Sequence, residues 1–102
     1  MATLKVGTGS TTAGTGWQVY TPDGIYIDIN TSAAQFSSVP VYVASLRSNT
    51  PSSQWKVVGV DGIYNATATG FRIYIRWVDG SALSPATANA YGWMVDWIGI
   101  GS

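Results

Sequence analysis

Apolar and polar side chains alternate with a period of two in several segments of this chain, which is the spacing of a half-buried β-strand. Two segments show the alternation most strictly, 24–30 with an isoleucine at every second position and 70–77 with apolar residues between arginine and tyrosine. The inward face is therefore predicted to carry Ile25, Ile27 and Ile29 from the first segment, and Phe71, Ile73, Ile75 and Trp77 from the second.

Shorter runs of the same pattern, bounded by Gly, Ser and Pro, predict further strands. Predicted strands cover Leu4–Val6, Trp17–Tyr20, Gly24–Asn30, Pro40–Leu46, Trp55–Val60, Ile63–Asn65, Gly70–Val78 and Gly92–Ile100. Loops are predicted for Gly7–Gly16, Thr31–Ser38, Arg47–Gln54 and Asp79–Tyr91. No window of about 11 residues has the apolar spacing of an amphipathic helix. The fold is therefore predicted to be all-β, an antiparallel sandwich of six or seven short strands.

The composition narrows the classes of partner. The 102 residues suit one domain, residues 1–102; only 10% of them are charged, and the net charge is zero. This balance argues against nucleic acid and against an anionic membrane surface, because both attract a positively charged protein. No run approaches the ~20 apolar residues of a membrane span, so no membrane insertion is expected. The scarcity of charge also suggests self-association, with part of the surface buried in an oligomer.

Residues for catalysis and metal binding are few. The chain has no Cys, no His and no Glu, so the usual nucleophilic triads and the commonest metal ligand are missing. Nothing places a glycosidase cleft between Asp28 and Asp96, and the spacing of Asp23 with Asp28, or of Asp79 with Asn89, is not diagnostic of calcium. We therefore expect a protein that is not an enzyme, with no cofactor and no metal. No signal peptide is recognisable, which leaves a cytoplasmic location or a secreted or surface assembly open.

Trp77 and Asp79 are the strongest candidates for binding chemistry. The tryptophan ends a predicted strand, and the carboxylate follows in the turn Val78-Asp79-Gly80. An aromatic plane can cover the C–H face of a sugar ring while a carboxylate accepts hydrogen bonds from its hydroxyl groups. The alternative is structural: Trp77 closes the end of the core, since it shares a face with Phe71 and Ile73, and Asp79 only forms a turn.

Several segments occur in the order found in a known family. They are the opening LKVGTGSTTAGTGW, the strand IYIDI, the Pro-containing strand FSSVPVYVASL, the central WKVVGV, the segment IYNATATGFRIYIRW and the closing GWMVDWIGI. In this order they resemble the H-type lectin family, the snail-agglutinin and discoidin type of sugar-binding domain, over essentially the whole chain. The resemblance implies an H-type lectin-like, six-stranded antiparallel β-sandwich. It also implies a homotrimer that binds galactose or N-acetylgalactosamine at its rim.

The resemblance further implies which side chains contact the sugar. Trp77 falls on the family's stacking aromatic, and Lys56 falls where an arginine commonly reaches the ligand. Val78 stands where animal members commonly have histidine, and it offers no hydrogen bond. The implied binding set is Trp77, Asp79, Lys56, Asp23 and Tyr91, with Asp23 contributed by the same or a neighbouring subunit.

Other aromatic and charged residues have more ordinary expected roles. Trp93 and Trp97 share a face of the last strand and are expected in the core. Trp17 and Trp55 begin strands and are interpreted as core edges or subunit contacts. Asp96 is expected to pair across the sheet with Arg72 or Arg76, which would make a solvated ion-pair ladder.

The sequence thus supports two functions from different classes. The first is a non-catalytic, trimeric lectin that uses the aromatic residue and the carboxylate near the end of the 70–78 strand. The alternative is a structural trimerisation or adhesion tip, as in a fibre or cell-surface protein, which keeps the sandwich without a working sugar site. Val78 and Lys56 suit the alternative, because both depart from the family pattern.

Overall fold

The computed structural model describes residues 3–48 and 53–102. Within these ranges the strands are β1 (Lys5–Ser10), β2 (Gln18–Thr21), β3 (Gly24–Asn30), β4 (Val41–Arg47), β5 (Val57–Val58), β6 (Tyr64–Thr67), β7 (Gly70–Trp77) and β8 (Met94–Gly101). One α-helix, α1 (Pro85–Tyr91), and two 3₁₀ helices, Ser32–Ala34 and Ser53–Lys56, complete the described elements. The predicted all-β class is confirmed, and every predicted strand overlaps an observed one.

The strands form two antiparallel sheets. One has three strands in the order β1-β8-β4, and the other has the order β2-β3-β7-β5, with β6 also paired to β7. The described residues hold eight strands, one for each predicted segment, although the predicted sandwich had six or seven. The short strands β5 and β6 pair with different parts of β7.

Both sheets bury their inner faces in one core, as in a β-sandwich. On the larger sheet the inward residues are the predicted ones, and β3 and β7 oppose them as Ile25 with Ile75, Ile27 with Ile73, and Ile29 with Phe71. The Tyr42 ring of the smaller sheet lies 4.5 Å from the Phe71 ring, measured between centroids. The period-two pattern therefore located the core of the larger sheet.

The prediction of a loop over Gly7–Gly16 was wrong in its first part, because β1 continues to Ser10. Its glycines serve close packing. A Cβ atom on Gly9 would lie 2.7 Å from the indole nitrogen of Trp97, so that ring occupies the space of a side chain. A glycine-rich segment that would be a loop by composition is therefore a strand packed against an aromatic ring.

The prediction of a loop over Asp79–Tyr91 was also wrong, since this segment contains α1. Pro85 stands at the helix start, where its missing N–H is not needed, and Gly92 ends the helix with φ of 66°. A helix of two turns is too short to give a helical period. Similarly, the start of the predicted strand Trp55–Val60 lies in a 3₁₀ helix. Residues 49–52 of the predicted loop Arg47–Gln54 lie outside the described residues.

The tryptophans occupy contrasting environments. Trp93 and Trp97 are buried as expected, and Trp17 is buried as well. Trp93 is completely inaccessible and contacts the rings of Trp17, Trp77 and Tyr91, with centroid distances of 6.5, 5.4 and 5.6 Å. Trp55 is 80% exposed, so it is not a core edge.

The predicted pairing of Asp96 with Arg72 or Arg76 was wrong, because β8 and β7 belong to different sheets. Arg47 binds Asp96 with two hydrogen bonds, of 2.7 and 3.1 Å, and Arg72 binds Asp28 on β3 with bonds of 2.7 and 2.9 Å. In the part of the chain that is described, no helix is long and apolar enough to cross a membrane.

Candidate functional site

A cavity of about 190 Å³, here called the first cavity, opens at the C-terminal end of β7. Its lining consists of Ser53, Lys56, Trp77, Val78, Asp79, Ser81 and Tyr91. Four of the five residues predicted to bind a ligand therefore lie together, and Asp23 is the exception.

Three backbone segments meet to form the first cavity. Val57 pairs with Trp77 in the β5–β7 ladder, and the Val78 N–H donates to the Lys56 carbonyl at 2.8 Å. The Lys56 segment is thereby fixed beside the strand end. The third segment is α1, whose last residue, Tyr91, reaches the cavity because the helix ends there at Gly92.

Trp77 lies between the core and the first cavity. Its side chain is half-buried, and its ring meets the Trp93 ring edge-on, with an interplanar angle of 77°. It also lines the first cavity beside the exposed Asp79. The same residue thus closes the end of the core and contributes to the cavity wall.

Asp79 is held in place by its own turn. Its Oδ1 atom accepts hydrogen bonds from the Ser81 backbone N–H at 2.9 Å and from the Ser81 hydroxyl at 2.7 Å. These bonds, with a smaller contribution from the charge of Lys56, lower the pKa of the Asp79 carboxyl below 3.8. Both bonds from Ser81 go to the Oδ1 atom, so Ser81 leaves the Oδ2 atom unused. An ionised carboxylate oxygen therefore remains available to a ligand.

Lys56 lies beside a second, more accessible indole. Its Nζ atom is 5.2 Å from the centroid of the Trp55 ring, a distance at which a cation and an aromatic ring attract each other. The sequence reasoning did not assign Ser53 or Ser81 to the site. Ser81 carried a usable signal, because a serine two residues after an aspartate commonly bonds to it in a turn.

Asp23 lies in a different place from the other four predicted residues. It lines a second cavity, together with Tyr20 and Arg76, and its Oδ1 atom accepts a hydrogen bond of 2.7 Å from the Thr21 hydroxyl. That bond is the main cause of the lowered pKa of the Asp23 carboxyl. Within one chain, therefore, Asp23 is not part of the first cavity.

The first cavity offers an indole, a phenol ring, one ammonium group and one carboxylate. Its charges balance, so it suits a neutral ligand that has an apolar face and several hydroxyl groups. Within residues 3–48 and 53–102, no three His, Cys, Asp or Glu side chains are grouped so that they could hold a metal ion.

No protein-family model matches this chain, and no curated protein is similar enough in sequence to count as a match.

Proposed function

We propose that the protein is a non-catalytic lectin that binds glycans of the galactose or N-acetylgalactosamine type in the first cavity. The supporting observation is that Trp77, Asp79, Lys56 and Tyr91 line one cavity, although they come from three separate segments. The sugar class rests on the resemblance to H-type lectins.

In the proposed complex, each side chain has a separate task. Trp77 and Tyr91 supply the aromatic surface for the C–H face of the sugar ring. The free Oδ2 atom of Asp79 accepts a hydrogen bond from one hydroxyl group, and the ammonium group of Lys56 donates to another. Val78 adds only apolar contact, so the site makes fewer polar contacts than one with histidine at that position.

We further propose that the lectin is a homotrimer, assembled through the outer surface of the three-stranded sheet. Cross-strand rows place Val6, Ile100 and Val41 side by side, and then Thr8, Ile98 and Val43. We call this surface, with Leu4 and Val39, the aliphatic face. Val41 is 69% exposed. An aliphatic sheet surface of this kind is a site for protein contact, and a second copy fits because the two rows carry no charge.

The test is a glycan array probed at high protein concentration with the wild-type protein and three variants. We expect galactose- or N-acetylgalactosamine-terminated glycans to bind, and the variants Asp79→Ala, Tyr91→Ala and Trp77→Ala to lose them. Asp79 is exposed, so its variant should keep the fold, whereas Tyr91→Ala and Trp77→Ala each also remove a ring contact with Trp93. Tyr64→Ala is the matched control, because Tyr64 is an exposed aromatic residue outside the first cavity.

The outcomes separate the possible functions. Hits from another sugar class that the same variants abolish would keep the site and reject the inherited specificity. A silent array from a folded trimer would support the alternative, a structural trimerisation or adhesion tip. The observation that favours this alternative is the packing of Trp77 against Trp93, which gives the tryptophan a structural role without any ligand.

A further inference from the structure

The second cavity lies on the other side of β7 from the first. It has a volume of about 320 Å³, near the lower end of the range for small-molecule sites. Arg76 lines the second cavity, and the next residue, Trp77, lines the first. Successive side chains of a strand point to opposite faces of the sheet. The two cavities are therefore separate, although they share one strand.

Two tyrosine rings that line the second cavity, Tyr20 and Tyr74, belong to a cluster on the outer surface of the larger sheet. We call Tyr20, Tyr26, Tyr64 and Tyr74 the tyrosine face. The Tyr74 ring contacts the other three, with centroid distances of 4.7 Å to Tyr20, 5.7 Å to Tyr26 and 4.9 Å to Tyr64. Tyr20 is nevertheless 61% exposed, so its ring is supported from behind while much of it is open to solvent.

Arg76 differs from the other two arginines of the chain. Arg47 and Arg72 each bind an aspartate through two hydrogen bonds. Within the described part of the chain, Arg76 has no such ion pair. Its guanidinium group therefore has donors available in the cavity, where Asp23 supplies a carboxylate oxygen not used by Thr21.

The backbone also shapes the second cavity. Gly59 has φ of 102°, and a Cβ atom there would collide with the carbonyl oxygen of Tyr74. Only glycine suits this position, because other residues rarely adopt this conformation and their Cβ atom would displace β7. The chain beside β5 is thereby held against the strand that carries Tyr74 and Arg76.

We propose that the second cavity is an additional saccharide-binding site, which takes a neutral hexose unit. Tyr20 supplies the aromatic surface, Arg76 donates hydrogen bonds to hydroxyl oxygens, and Asp23 accepts from a hydroxyl group. The opposite charges of Arg76 and Asp23 favour a neutral ligand over an anionic one. This inference rests on the proposed function only in the class of ligand, since the residues are different.

The test is a titration of the ¹⁵N-labelled protein, followed by amide chemical shifts, with three probes: the methyl glycosides of galactose, glucose and mannose. The amides of Asp23, Gly24 and Gly59 report on the second cavity, and those of Asp79 and Tyr91 report on the first. We expect at least one glycoside to shift the second-cavity amides. Tyr20→Ala or Arg76→Ala should weaken that binding about tenfold or more without changing affinity at the first cavity.

Matched controls are available for both substitutions. Tyr64→Ala removes another exposed tyrosine that packs on Tyr74 outside the second cavity, and Arg47→Ala removes an arginine on the other sheet. Neither should change the affinity measured at the second-cavity amides.

Several outcomes would overturn the inference. The first is that no glycoside shifts the second-cavity amides, and the second is that Tyr20→Ala and Arg76→Ala leave the shifts unchanged. In a further titration with galacturonate, tighter binding than that of methyl galactoside would reject the neutral ligand. An Asp23→Asn variant that weakens binding only at the first-cavity amides would assign Asp23 to a neighbouring subunit's site. If only the first-cavity amides respond, this inference fails and the proposed function stands. If only the second-cavity amides respond, this inference stands and the proposed site in the first cavity fails.

Discussion

The outer surfaces of the two sheets differ in the kind of contact they offer. The tyrosine face combines aromatic rings with hydrogen-bonding groups, and Arg72 lies over the Tyr26 ring, 4.0 Å from its centroid. The aliphatic face carries β-branched side chains in rows without a charge. Sugars need both an apolar surface and polar partners, whereas a second protein chain can cover a purely aliphatic surface. This difference supports the proposals that the tyrosine face contributes to a ligand site and that the aliphatic face contacts further copies of the chain.

The largest expected effect comes from a charge on the aliphatic face. Val41→Asp places a carboxylate at one end of the row formed with Ile100 and Val6. Burying that charge without a partner is costly, so we expect the proposed trimer to dissociate into single chains of 10.8 kDa. Size-exclusion chromatography with light scattering measures this. Tyr64→Asp, on the tyrosine face, should leave the oligomer intact. Dissociation of both variants would contradict the proposal that the chains assemble through the aliphatic face.

The second prediction concerns avidity. In the dissociated Val41→Asp protein, retention on a densely glycosylated surface should fall about 100-fold, because linked sites no longer act together. The dissociation constant for a monovalent methyl glycoside should stay the same, since the first cavity lies within one chain. Surface plasmon resonance gives the first quantity and calorimetry the second. A parallel loss of monovalent binding would mean that the site itself needs the neighbouring subunit.

The third prediction concerns pH. The chain has no histidine, so glycoside affinity should be flat between about pH 8 and pH 5. The pKa of Asp79 is lowered from 3.8 by its bonds to Ser81, so its ionised form persists to lower pH and binding should fall only as the pH passes below that value. Calorimetric titration in buffers of falling pH measures this. A loss of affinity near pH 6 would exclude Asp79 as the titrating contact.

The stability of the fold should also decrease at low pH, because of the carboxyl group of Asp96. Arg47 and, to a smaller degree, Ser10 lower the pKa of Asp96. A carboxyl group whose pKa is lowered on folding stabilises the protein above its unfolded pKa, and this stabilisation is lost as the pH falls through the folded value. The melting temperature of the wild type, measured by thermal unfolding, should therefore fall below about pH 4. An Asp96→Asn variant should be less stable at neutral pH and show a smaller acid dependence.

The smallest expected effect is on the tyrosine face. Arg72→Met removes the ion pair with Asp28, whose side chain is 63% exposed, and the contact with the Tyr26 ring. Exposed ion pairs contribute little, so the melting temperature should fall by no more than about 4 °C. Oligomeric state and glycoside binding should not change. A larger fall would mean that the arginine is essential to the arrangement of the four tyrosines.

The sequence predicted the larger sheet well and the surroundings of the site less well. Strict alternation located Ile25 and Ile73 in the core, because a sheet with one buried face imposes that period directly. Four residues of the first cavity were also named from the sequence, largely through the family resemblance. The position of Asp23 was not predictable, since it depends on which face of β7 the β2–β3 turn packs beside. The helix α1 was missed because two turns leave no periodic pattern.

The contacts of Trp93 also have an optical consequence. Its ring lies within a few ångströms of Trp77, which lines the first cavity, and of Trp17 and Tyr91, whereas Trp55 is mostly exposed. Coupled rings produce a near-ultraviolet circular dichroism signal, and indoles shielded from water emit at shorter wavelengths than Trp55 will. One fluorescence spectrum therefore distinguishes changes near the shielded indoles beside the first cavity from changes near Trp55 in the adjacent 3₁₀ helix. The protein needs no added dye.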